Sequence, residues 1–169
     1  ATPSMIADTS WIQPGASAWD PWWTGVNAYD GTYTGVNARG NTQSDKDYID
    51  LAAQMGWRYQ MMDWQWYSNG DFNQVSPSVD IPGLISYAAS KGVKLLIWAN
   101  SADVKSRGIA SSLDLFKSYG FAGVKVDFFD SQSQETVQYV ESLVQQAAAR
   151  GMLVDCHGVY HPTGLARTW

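Results

Sequence analysis

The sequence predicts an α/β fold built on a parallel sheet, and three observations predict it. Short apolar runs alternate with segments of helical period, glycines close the helices just before the next run, and the runs end on polar or aromatic residues. Helix after strand after helix is the pattern of a parallel sheet covered by helices. An open doubly wound sheet gathers its site at one switch point and typically carries a Gly-rich phosphate turn, which this sequence lacks; a barrel draws its site from the ends of several strands. Asp20, Asp63, Trp98-Ala99-Asn100, Asp127 and His157 stand at such ends. The expected architecture is a partial (β/α)8 TIM-type barrel with about five parallel strands and four covering helices, one domain over residues 1–169, because a complete barrel needs at least about 200 residues.

Each element has its own signal. Residues 1–41 are rich in Gly, Asn, Thr and Trp and read as loop, with one strand near 16–20 that Pro21 stops just after Asp20. A helix follows: Thr42 or Ser44 can cap it, Tyr48, Leu51, Ala52 and Met55 share a face, and Gly56 closes it. Residues 59–63 form a strand ending on Asp63, and the passage 67–77 is rich in turn residues. The next helix starts near Asp80 with Pro82 in its first turn, buries Leu84, Ile85 and Ala88, and ends at Gly92. The strand 93–99 precedes a helix from about 103 to 119, with Ile109, Leu113 and Phe116 on one side and Gly120 at its end. The run from Gly120 to Asp130 is the fourth strand. Ser131 or Ser133 then caps a helix burying Val137, Val140, Val144 and Ala148, and 152–157 is the fifth strand.

Composition excludes several function classes. A chain that is 45% hydrophobic and 16% charged has the apolar content for a core. The net charge of −5, with no basic run, argues against nucleic acid. No apolar run is long enough to span a membrane, and the N-terminus lacks the charged start and apolar core of a signal peptide. A single cysteine, Cys156, excludes an internal disulfide and any Cys-rich metal cluster. Nine Trp and nine Tyr are the anomaly. They serve either as core packing or as platforms for sugar rings.

The candidate chemistry lies at the strand ends. Alternation puts Lys125 and Asp127 on one face of their strand and Val124, Val126 and Phe128 on the helix-covered one. The lysine and carboxylate are either a structural ion pair or a substrate-binding lysine beside a catalytic carboxylate. Asp63 is a second site acid or a local cap. Asp155 shares a face with His157 and is either its orienting partner or an acid paired to Lys125. His157 and His161, four apart across Gly158, do not form a helical metal-ligand pair. Glu135 and Glu141 read as solvated helix residues and Cys156 as a small core residue.

Several segments are similar to glycoside hydrolase family 97: Ser10-Trp11-Ile12-Gln13-Pro14-Gly15, Trp19-Asp20-Pro21-Trp22-Trp23, Asp63-Trp64-Gln65-Trp66-Tyr67, Val79-Asp80-Ile81-Pro82, Gly123-Val124-Lys125-Val126-Asp127-Phe128, and the run from His157 to Thr168. They occur in the family's order from residue 10 onward. The resemblance implies a catalytic barrel in which Asp127 is the nucleophile of a retaining α-glycosidase acting on an α-galactoside or α-glucoside. Inverting members carry a glutamate base around the turn where this sequence has Gly158, so the retaining pattern is the one matched. Asp20, Asp63, Lys125, Trp64, Trp66, Trp98 and His157 are then the expected substrate-binding residues. The family's acid/base glutamate falls beyond residue 169, which leaves Asp63, Asp130 or Asp155 as possible surrogate acids. Family members bind calcium, but most of the ligand positions are absent from this sequence, and no cofactor is assigned. The resemblance also implies a bacterial periplasmic or secreted protein with a carbohydrate substrate. An open five-stranded sheet has two edges to cover, so a homo-oligomer is expected. The alternative expectation is a truncated, catalytically silent sugar-binding or self-assembling barrel fragment.

Overall fold

The computed structural model describes residues 3–19 and 41–161; Asp20, the part of the expected N-terminal loop that follows it to residue 40, and the segment after His161 lie outside them. Five strands form one sheet, β1 (Ser17–Trp19), β2 (Tyr59–Met62), β5 (Lys94–Asn100), β6 (Gly123–Asp127) and β7 (Leu153–Cys156), neighbours in that order and all parallel. The helices α1 (Thr42–Gln54), α2 (Ile81–Ser90), α3 (Ser101–Arg107), α4 (Ile109–Tyr119) and α5 (Gln134–Ala148) alternate with them. The sheet is the expected partial barrel arc.

One face of the sheet packs against the helices. Tyr48, Ile49 and Ala52 of α1, Leu84 and Ala88 of α2, Leu113 and Phe116 of α4, and Leu143 and Ala147 of α5 bury themselves with Met62, Leu95, Ile97, Ala99, Val124 and Val126. Burial of that apolar area is the main favourable term in folding. The helices start where local chemistry tells them to. Asn41 caps α1 by accepting from the Ser44 amide, Asp80 caps α2 through Gly83, and Ser133 caps α5 through Thr136. Asn41, rather than Thr42 or Ser44, is therefore the first cap.

Two elements differ from the sequence expectation. The single helix expected over 103–119 is two, because Gly108 adopts φ 95° and separates α3 from α4; among the described residues the sheet carries five helices, not four. The passage after Asp63 is a hairpin, β3 (Tyr67–Ser68) with β4 (Asp71–Val75), and not plain turn. Its signal was present: Asn69-Gly70, both at positive φ (57° and 68°), is the dipeptide preferred at a two-residue hairpin turn.

Parallel pairing fixes the register that matters for the site. Trp98 of β5 lies opposite Lys125 of β6, Asn100 opposite Asp127, and Lys125 opposite Asp155 of β7. These residues all share the face turned away from the helices, at or near the carboxyl ends of the strands. At the other end of the strands an apolar cavity of about 460 Å³ lies among Trp11, Tyr59, Ile85, Ala88, Val93 and Leu153, well away from the acids.

Candidate active site

The site is built around one buried cation. Lys125, 3% exposed, extends from β6 across β5 and places its ammonium 2.8 Å from Asp63 Oδ2 and 3.7 Å from Asp127 Oδ2. The Trp19 ring covers it, with Nζ 4.3 Å from the ring centroid. The nearest partner of this lysine is thus Asp63, two strands away, a pairing that strand alternation did not offer; the same ammonium also faces Asp127, which it did. Asp155, which was a candidate partner for Lys125 or His157, is exposed and binds neither.

Asp63 is an acceptor on both oxygens. Besides Lys125, it takes the Trp19 indole N–H at 2.7 Å and the Trp64 amide at 2.8 Å. Asp127 is arranged the same way. Its Oδ1 accepts the Phe128 amide at 2.8 Å and lies 2.9 Å from His157 Nδ1, while Oδ2 accepts the Trp98 indole N–H at 3.2 Å. Burial raises the Asp127 carboxyl, but the hydrogen bonds from His157, Trp98 and Phe128 outweigh it and hold the group below the usual carboxylate range. A low folded-state value means that the stability gained from ionised Asp127 is complete above the ordinary carboxylate pKa. It is lost as pH falls through the lower folded value.

Gly158, at φ 63°, closes over this carboxylate. A Cβ at that position would lie 3.2 Å from Asp127 Oδ1 and 3.3 Å from the Phe128 nitrogen, tighter than nine in ten real Cβ contacts and on a left-handed backbone, so this close approach of the turn after β7 favours glycine.

The other expected site residues divide. Trp98 is buried against the nucleophile candidate and His157 is half-exposed beside it. Trp64 stands 42% exposed next to Asp63. Trp66 does not face a substrate. It is 0% exposed, stacks on Phe72 at 5.8 Å, and donates its indole N–H to the Trp98 carbonyl at 2.7 Å. It fastens the β3–β4 hairpin to β5. Asp130 is exposed in a left-handed turn at φ 51°. Glu135 pairs with Lys105 in solvent, and the half-buried Cys156 thiol is pushed up to about 11 by burial and by Asp155. Sequence reasoning missed Tyr67, whose hydroxyl donates to Asp103 at 2.6 Å while its ring lies 6.1 Å from Trp98. It also placed Phe128 on the helix face, whereas the ring is exposed.

Among the described residues, no group of three or more His, Cys, Asp or Glu side chains gathers where it could hold a metal ion. The space between Asp63 and Asp127 already receives the Lys125 ammonium. With a cation of the protein's own between them, these residues do not fit a calcium ion. No helix among the described residues is long and apolar enough to cross a membrane.

The model of the glycoside hydrolase 97 family matches residues 22–169. The chain belongs to glycoside hydrolase family 97. It is 35% identical, over its whole length, to a probable retaining α-galactosidase of Streptomyces bingchenggensis. It is 36% identical over 99% of its length to a retaining α-galactosidase of Bacteroides thetaiotaomicron. It spans 26% and 25% of those two proteins. Among solved structures, a family 97 enzyme from a Pseudoalteromonas species superposes on all of this chain with a TM-score of 0.79 at 22% identity, the chain covering 30% of it. That likeness supports the partial barrel fold.

The charge cluster makes a specific prediction. Lys125→Met leaves two buried carboxylates without their cation and should destabilise the chain by roughly 3–5 kcal/mol in urea unfolding at neutral pH. A loss under about 1 kcal/mol would mean that Lys125 does not bind this arc together.

Proposed function

We propose that this chain is the nucleophile-bearing part of a retaining glycoside hydrolase that acts on α-galactosides, with Asp127 attacking the anomeric carbon. The observation that carries the reading is the setting of Asp127: a buried carboxylate at the end of β6, ionised by its donors and facing a lysine two residues before it. The family and the retaining α-galactosidase names of the two curated relatives support the substrate class.

The roles follow from the contacts. An attacking carboxylate needs a free lone pair and a fixed orientation. The Phe128 amide and His157 fix Oδ1, while the longer contacts at Oδ2 leave that oxygen the better placed to form the bond. Attack forms a C–O bond from Asp127 to the anomeric carbon and breaks the glycosidic bond. Water then hydrolyses the ester with net retention. A carboxylate stabilised as the anion is also a good leaving group in that second step. Asp63, held as an acceptor, positions Lys125 and Trp19 rather than donating a proton. Trp64 and Trp98 supply the aromatic walls, and His157 and Lys125 the hydroxyl-binding donors. Of the surrogate acids, Asp155 is the better placed, in register with Lys125 and two residues before His157 on the edge strand. Asp20 remains a proposed substrate contact by family resemblance.

Incubating the chain with a 2,4-dinitrophenyl α-galactoside tests Asp127 with little need for acid assistance, because the leaving group departs unprotonated. A galactosyl adduct on the peptide containing Asp127 should appear by mass spectrometry and be absent from Asp127→Ala. An adduct on another residue, or release of dinitrophenol by Asp127→Ala at the wild-type rate, would refute the assignment.

Each of β1 and β7 has one strand neighbour among the described residues. We extend the proposal to self-association through these edges. Light scattering on the isolated chain at micromolar concentration should give a mass at least twice that of one copy, and a well-folded monomer would contradict it.

A further inference from the structure

Five large hydrophobic side chains stand exposed among the described residues: Met5, Trp19, Met55, Trp64 and Phe128. The two methionines lie near the N-terminus and at the end of α1. All three aromatic residues are bonded to the carboxylates of the site: the Trp19 indole N–H and the Trp64 backbone amide donate to Asp63, and the Phe128 backbone amide donates to Asp127. Among the described residues, the large exposed aromatic side chains thus belong to residues bonded to these two acids, and Phe128, at 46% exposed, is the most open of the three.

Phe128 reaches solvent through an unfavourable backbone. Strand alternation would carry its side chain to the helix-covered face, in line with Val124 and Val126, where an apolar core awaits it. Instead the residue adopts φ 62°, a conformation in which a bulky side chain is rarely found. The next residue, Phe129, goes inward and packs at 6.1 Å from Tyr139. Bonds at both ends hold the turn: the Phe128 N–H donates to Asp127 Oδ1 at 2.8 Å, and its carbonyl accepts the Ser101 hydroxyl at 2.7 Å. The ring stands edge-on to Trp98, 6.2 Å between centroids.

We propose that Phe128 is a substrate-contacting platform: its left-handed turn takes an aromatic ring out of the core and presents it to the apolar C–H face of the pyranose bound at Asp127. The inference deepens the glycosidase reading and rests on it for the ligand class. One turn serves two ends, because the conformation that exposes the ring also aims the amide at the nucleophile. A purely structural phenylalanine would have no reason to leave the core at the cost of strain. Aromatic walls beside a few fixed polar groups are the usual lining of a small-ligand site.

The test has two arms, neither of which requires turnover. Phe128→Gly should melt ~2–4 °C above Phe128→Ala, reversing the usual order in which alanine is the more stable of the two. A Gly variant that melts at or below the Ala variant removes the strain. In the second arm, binding of methyl α-galactoside is followed by saturation-transfer NMR. Phe128→Ala should weaken it by ~10-fold, the equivalent of about 1.4 kcal/mol, and Phe128→Trp should restore it. Equal binding by wild type and Phe128→Ala, or no binding by wild type, overturns the platform. Failure of the hydrolytic reading shows separately, as sugar binding that depends on Phe128 without a galactosyl adduct at Asp127.

Discussion

Everything at the carboxyl ends of these strands depends on one buried ammonium. Lys125 lies at the centre of the sheet with acids on two sides and a tryptophan ring above it, and each partner comes from a different stretch of chain. A charge in that position is tolerable only if the partners arrive together. The parallel register of β2, β5 and β6 is therefore tied to the chemistry: a slip by one residue on β6 would send Lys125 into the helix-packed core.

The two acids of the cluster have been given different work by their donors. Asp63 and Asp127 each accept the amide of the following residue and a tryptophan indole, a repeated local design at two strand ends. They part at the remaining contacts. Asp63 takes the short bond from Lys125, whereas Asp127 meets the half-exposed His157 and only a longer approach from the lysine. One carboxylate is anchored in the ion pair, and the other lies beside the half-exposed imidazole with its charge already stabilised.

Much of this was legible in the sequence because the signals are local. The strands follow from short apolar runs, the helix ends from glycines, and the common face of Lys125 and Asp127 from alternation by two. The missing parts depend on distance or on unfavourable conformations. Nothing near Lys125 in the chain points to Asp63, which becomes its neighbour only through strand order. Trp66 was expected at the substrate from the family resemblance of its segment, and only the β3–β4 hairpin shows that Phe72 and Phe116 enclose it. That hairpin was announced by Asn69-Gly70 and overlooked among other turn residues. Phe128 was misplaced for the opposite reason: alternation is a sound rule for a strand, and the strand ends one residue earlier, at a left-handed turn.

The central claim is that the donors around Asp127, His157 foremost among them, hold it as a stabilised carboxylate ready to attack. The most direct measurement is the titration of the Asp127 side-chain carboxyl by ¹³C NMR in the wild-type chain and in His157→Ala. The account predicts a wild-type midpoint below the ordinary value of 3.8 and an upward move when the imidazole is removed. A midpoint at or above that value, or one indifferent to His157, would contradict it.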